Sequence, residues 1–156
     1  MSIQQTLHKL GIELPAPAAP AGNYVPFVVV GNLVFIAGQV PRRDGRLQVV
    51  GKLGGALGLA DGQKAARLCA LNILAQLQVA CEGDLDRVVR CVRLTGFVNC
   101  TPEFTEQPSV INGASDLMIE VLGNQGRHAR TAVGANGLPG DAACEIESIF
   151  EIRAPA

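Results

Sequence analysis

The period of apolar and polar positions changes several times along the chain, and each change predicts an element. Ser2 followed three residues later by Gln5, with apolar Ile3, Leu7 and Leu10 and then Gly11, predicts a short capped helix over Ile3–Leu10. The proline-rich segment Leu14–Gly22 cannot hold a helix and is expected to run extended across the surface. From Tyr24 to Val40, valine, isoleucine and phenylalanine dominate on both sides of Gly31-Asn32, the pattern of a β-hairpin. Arg42–Gly45 reads as a polar turn and Arg46–Val50 as a third short strand, before Gly51, Gly54, Gly55 and Gly58 loosen the backbone.

Between Leu59 and Cys81, Ala65, Leu68, Cys69, Ile73, Leu77 and Ala80 recur at steps of three and four, predicting a long amphipathic helix that ends at Gly83. A strand over Val88–Val98 follows, then a second helix over Pro108–Leu122 with Gly123 just past its end. His128–Ala135 and the alternating run Cys144–Arg153 are two further strands around the turn-rich NGLPGD. The strand, helix and strand that lead through Leu59–Cys81 to Val88–Val98 imply a right-handed crossover and parallel pairing within the sheet. The predicted order after the N-terminal helix is β-β-β-α-β-α-β-β, an α+β domain with two long helices on one face of a mixed sheet. Residues 1–22 form a helix and arm, and residues 23–153 the core of a single domain. The other sheet face is left uncovered, so association of subunits through it is expected.

Composition narrows the function. Lys+Arg 13 against Asp+Glu 14 provides no basic field for a nucleic-acid backbone, and 4% aromatic residues offer few stacking platforms. Arg87, Arg90 and Arg93 cluster, but alternation splits them between strand faces. The glycine stretch lacks both phosphate-cradle spacings, G-x-x-x-x-G-K-[ST] and G-x-G-x-x-G. Five dispersed cysteines without a C-x-x-C pair, and only His8 and His128, match no zinc pattern; they read as buried thiols of a reducing cytosol. Neither a signal-like N-terminus nor a membrane-length apolar run is present, so a cytoplasmic protein is expected.

Arg130, among the small residues of HARTAVG, supplies planar bidentate donors that match a carboxylate; the alternative is a solvated edge arginine or a salt bridge. A direct hairpin centred on the Gly137–Leu138 link would put Arg130 opposite Glu145 with Cβ atoms about 5 Å apart, and an intervening strand would separate them further. Either geometry is expected to admit a small acid and a water between them, the alternative being a cross-strand ion pair. His128 shares the strand face of Arg130, either lining a cleft or lying on the surface. Tyr24, the single tyrosine, is by composition a core or rim aromatic, and Cys144 stands beside Glu145.

Ala129-Arg130, Leu138-Pro139 and Glu145-Ile146-Glu147, with GNYVPFVVVGNLVFIAGQVP at Gly22–Pro41, resemble in their order the signature of the Rid family. Its members, also called YjgF or reactive intermediate deaminases, have carried the names translation inhibitor and endoribonuclease L-PSP. The resemblance spans roughly Gly22–Arg153 and implies a chorismate-mutase-like α+β fold and a homotrimer with clefts between subunits. It implies hydrolysis of enamines or imines to 2-keto acids and ammonia, without cofactor or metal. Carried over by position, Arg130 anchors the substrate carboxylate and Glu145 positions or activates water. Tyr24, Ala37, Gly38, Asn112, Thr131 and Ala132 contribute to substrate binding. Thr131, Cys144 and Ala37 depart from the usual family residues and mark a divergent subgroup. A non-catalytic 2-keto acid binding protein is the alternative on the same cleft, and an endoribonuclease is disfavoured by charge and aromatic content.

Overall fold

A computed structural model describes residues 1–155. Helix α1 (Ile3–Lys9) begins as the sequence predicts: Ser2 and Gln5 form a reciprocal capping box, and the helix stops one residue earlier than expected, with Leu10 as its cap. Its apolar side buries Ile3 and Leu7, while the Ile3 amide donates to Asp86 Oδ1 at 2.8 Å. Strands β1 (Phe27–Val30) and β2 (Leu33–Gln39) make the hairpin across Gly31-Asn32.

Arg46–Val50 is corrected: only Arg46–Leu47 (β4) is strand, and it pairs with Arg42–Arg43 (β3) in a separate two-stranded ribbon. The turn at Asp44-Gly45, both at positive φ, folds this short segment onto itself before it can reach the main sheet. Helix α2 (Leu59–Ala80) leads to β5 (Val88–Asn99), and α3 (Gln107–Leu122) to β6 (Ala129–Ala135); β7 (Cys144–Ile152) closes the fold.

The main sheet runs β1-β2-β7-β5-β6. β5 and β6 are parallel neighbours joined through α3, whereas the parallel pairing expected across α2 does not form. β2 and β5 also run the same way but do not touch, because β7 is inserted antiparallel between them. The direct hairpin between the last two strands therefore does not exist; β5 separates β6 from β7. A strand flanked on both sides satisfies both edges of its backbone, and apolar Ile146, Phe150 and Ile152 make β7 suited to that buried place.

Both long helices cover one face. Ile146, Phe150, Leu94 and Ile36 lie beneath them, and Cys144 Sγ meets Cys69 Sγ of α2 at 3.6 Å within the core. The opposite face leaves Val28, Phe35 and Val133 exposed at 49%, 42% and 42%. α2 and α3 pack at glycine: a Cβ on Gly113 would stand 2.2 Å from the Gln63 carbonyl oxygen. Gln63 Nε2 donates to the Ser109 carbonyl at 3.0 Å beside this contact. No helix among the described residues is long and apolar enough to cross a membrane.

Gly113→Ala is expected to lower the thermal midpoint. Alanine favours a helix over glycine by about 1 kcal/mol, but overpacking costs about 1–3 kcal/mol, and here the obstructing atom is backbone that cannot rotate away. Scanning calorimetry showing an unchanged or raised midpoint would contradict this reading of the interface.

Candidate functional site

Strand alternation and register decide where the predicted residues go. Arg130 pairs with Leu94 and Glu145 with Phe97, three residues apart on β5, so the two side chains leave opposite faces of the sheet. Two strand spacings and three residue steps put roughly 14 Å between their Cα atoms. The expectation that either strand order lets a small acid and a water fit between the two groups does not hold inside a single protomer, which presents two half-sites.

The first half-site stands at the sheet edge, on the helix side. Arg130 Nη1 donates to Asn112 Oδ1 at 2.7 Å and to Ser115 Oγ at 3.1 Å. Asn112 and Ser115 lie three residues apart on α3, hence on one face of it. Ser115 Oγ is also 2.9 Å from His128 Nε2, and His128 Nδ1 is 2.6 Å from the Gly126 carbonyl. That carbonyl can only accept, so Nδ1 carries the proton of a neutral ring. Nε2 then accepts from the Ser115 hydroxyl, whose oxygen accepts from Arg130. Burial lowers the pKa of His128, with the positive charge of Arg130 acting in the same direction against the Gly126 bond. Among the described residues no carboxylate lies within ion-pair distance of Arg130; the ion pairs are Arg67–Glu120 and Arg87–Glu82.

The second half-site surrounds Glu145. A β-bulge in β2 between Ile36 and Gln39 turns Ala37 and Gly38 toward β7. Gly38 approaches so closely that a Cβ there would stand 2.3 Å from Glu145 Oε1, so only glycine fits without displacing the carboxyl. Glu145 lines a pocket of about 220 Å³ together with Tyr24, Gly38, Arg42, Asn72 and Gly140. Its other wall is the arm, residues 18–21, held by Gln76 Nε2 donating to the Ala18 carbonyl at 2.9 Å. Burial raises the Glu145 pKa, and the negative charge of Glu147 on the same strand face raises it further. A carboxyl so placed can take and return a proton closer to neutrality than an exposed glutamate.

Tyr24 and Ala37 also line a wider groove of about 760 Å³ on the uncovered sheet face, with Arg93, Thr95 and Glu147. Thr131 belongs to this face: its Oγ1 accepts from Arg93 Nη2 at 2.7 Å. Ala132 turns the other way and packs, half-buried, against the core. Of the predicted residues, Tyr24, Gly38 and Glu145 thus share one pocket, Arg130 and Asn112 share another place, and Thr131 and Ala132 point to different faces. Ser115, like Arg42 of the Glu145 pocket, is a residue that sequence reasoning missed. Its i, i+3 spacing from Asn112 was the available signal, but nothing local says that this helix face meets β6. No cluster of three or more metal-ligating side chains occurs among the described residues.

The family described as "YjgF/chorismate mutase-like, putative endoribonuclease" matches residues 4–152. The chain is 50% identical to Protein TCP17 of Trypanosoma cruzi, over 97% of this chain and 94% of that one. The crystal structure of Atu1372 from Agrobacterium tumefaciens, a protein of unknown function, superposes with a TM-score of 0.90 at 49% identity, covering 97% of this chain and 92% of the other. A Shewanella oneidensis protein that bears the endoribonuclease name gives a TM-score of 0.94 at 36% identity, covering 97% and 100%. With its motifs in order, its sheet threaded in this way and nearly its full length matched, the chain belongs to the YjgF, or Rid, family of chorismate-mutase-like α+β proteins.

Proposed function

We propose that the protein hydrolyses reactive imines and enamines of amino acids to 2-keto acids and ammonia, in clefts that form where copies of the chain meet. The observation that carries this reading is Arg130: a half-buried guanidinium oriented by two neutral acceptors, with its charge unpaired among the described residues. A guanidinium held in that way matches the planar carboxylate common to all such substrates. A relative, TdcF of E. coli, 25% identical with a TM-score of 0.63, has been crystallised with serine bound, a ligand that carries an α-carboxylate.

Two half-sites on opposite sheet faces suit a cleft completed by a second protomer, and the exposed Val28, Phe35 and Val133 supply apolar surface for a homotrimer. In that cleft Arg130 of one protomer holds the substrate carboxylate against the Glu145 pocket of the next. An enamine first takes a proton at carbon and becomes the iminium. Glu145, as carboxylate, accepts a proton from water while the water oxygen bonds to the iminium carbon. The resulting carbinolamine receives that proton back on nitrogen, the C–N bond breaks with its electron pair leaving on ammonia, and the hydroxyl oxygen forms the carbonyl while giving its proton to the Glu145 carboxylate, which returns it to solvent, so that the keto acid remains. No cofactor takes part in this sequence.

With imines generated in situ from serine or threonine and trapped by semicarbazide, Arg130→Ala is expected to lose turnover by about a hundredfold, the scale of a charge-assisted bidentate contact. Equal imine loss for wild type and variant would remove the anchor from the mechanism. Stabilisation by 2-ketobutyrate without any turnover would instead identify a binding protein.

The same turnover should fall as pH drops, because the base must be ionised, and its midpoint should lie above the ordinary glutamate value of 4.5. Glu145→Gln is expected to leave a low, pH-flat rate. The folded protein binds the Glu145 proton more tightly than the unfolded chain, so this group's contribution to stability declines as pH rises through the interval between the two pKa values. Glu145→Gln should therefore unfold at a higher temperature than wild type at neutral pH, with the gap closing on acidification. A pH–rate profile and parallel melting curves check both signs.

A further inference from the structure

The arm and the ribbon β3–β4 enclose more than Glu145. Arg42, on β3, lines the same 220 Å³ pocket and also a neighbouring cavity of about 310 Å³ beneath Pro15–Ala19. Its Nε is one of two buried side-chain polar atoms without a hydrogen-bond partner among the described residues, the other being the rotatable hydroxyl Ser148 Oγ. A buried guanidinium nitrogen left unpaired costs free energy that a stability role alone would not require. Nor does Arg42 hold the arm: Gln76 makes that bond, reaching the Ala18 carbonyl.

The backbone under Arg42 is nevertheless fixed. Asn72, nearly buried on α2, donates from Nδ2 to the carbonyls of Val40 at 3.0 Å and Arg42 at 2.9 Å. A positioned cation without an anion among the described residues, in a pocket with room for roughly seven waters at about 30 Å³ each, is built to receive a charged group.

We infer that Arg42 recognises a second carboxylate on the ligand, at the end of its side chain, so that the Glu145 pocket selects 2-imino and 2-keto dicarboxylates over monocarboxylates. The inference rests on the proposed function for the other end of the ligand: Arg130 of an adjacent protomer holds the α-carboxylate, the reacting carbon lies at Glu145, and the side chain runs under the arm to Arg42. A monocarboxylate fills the same space but leaves the guanidinium unpaired.

Calorimetric titration of the full-length protein with 2-ketoglutarate and 2-ketobutyrate tests this. Wild type is expected to bind the dicarboxylate at least tenfold more tightly, and the ratio should collapse toward one in Arg42→Gln and recover in part in Arg42→Lys, which restores the charge without the fork. Circular dichroism confirms that each variant is folded. Equal affinities in wild type, or a preference that survives Arg42→Gln, would overturn the inference while leaving imine hydrolysis standing. Failure of wild type to bind either keto acid or to consume imine would remove the proposed function and this inference with it.

Discussion

The central position of β7 is the constraint on which the remaining structure depends. The last strand of the chain enters between β2 and β5, pairing antiparallel with both. One set of its side chains, Cys144, Ile146, Phe150 and Ile152, builds the floor on which α2 and α3 rest. The alternate set, beginning with Glu145 and Glu147, is delivered to the face the helices do not cover. The same insertion brings the Gly38 bulge against Glu145 and leaves β6 at the edge, where α3 alone flanks Arg130.

At that edge the polar chemistry is economical. Asn112 and Ser115 direct the guanidinium without neutralising it, and the neutral ring of His128 turns the serine hydroxyl so that its oxygen faces the arginine. A carboxylate in place of either acceptor would hold Arg130 as firmly but would cancel the field that makes it useful to a ligand. The single histidine of this region thus acts two bonds away from the anchor, as a positioning group.

Burial raises the Glu145 pKa, and the arm supplies one wall of the pocket that this carboxyl lines. That arm depends on α1, whose Ile3 and Leu7 are sunk in the core, and on Gln76 reaching out from α2. Helix, arm and ribbon together turn a shallow depression at a strand end into a chamber with two charged residues in its wall. The N-terminal segment is therefore part of the site's architecture.

Much of this was legible in the residues. Helix α1 with its cap, the hairpin, α2, α3 and the strict alternation of β7 follow from contacts between near neighbours, which a linear pattern records. The motif order identified the family and nominated Arg130, Glu145, Tyr24 and Gly38 as site residues. Strand order was not legible: β5 and β6 are equally good partners for β7 by composition, and the choice rests on pairing both edges of β7 while its apolar side is buried beneath the helices. With the wrong neighbour, Arg130 and Glu145 become a pair; with the right one they stand on opposite faces. Ser115 and Arg42 escaped notice for the same reason, because a serine acquires meaning only from the strand it faces and an arginine only from the partners it lacks. Local periodicity is set by a few adjacent side chains, whereas the placement of charge is set by which distant surfaces exclude water together, and that is decided only when the whole chain has folded.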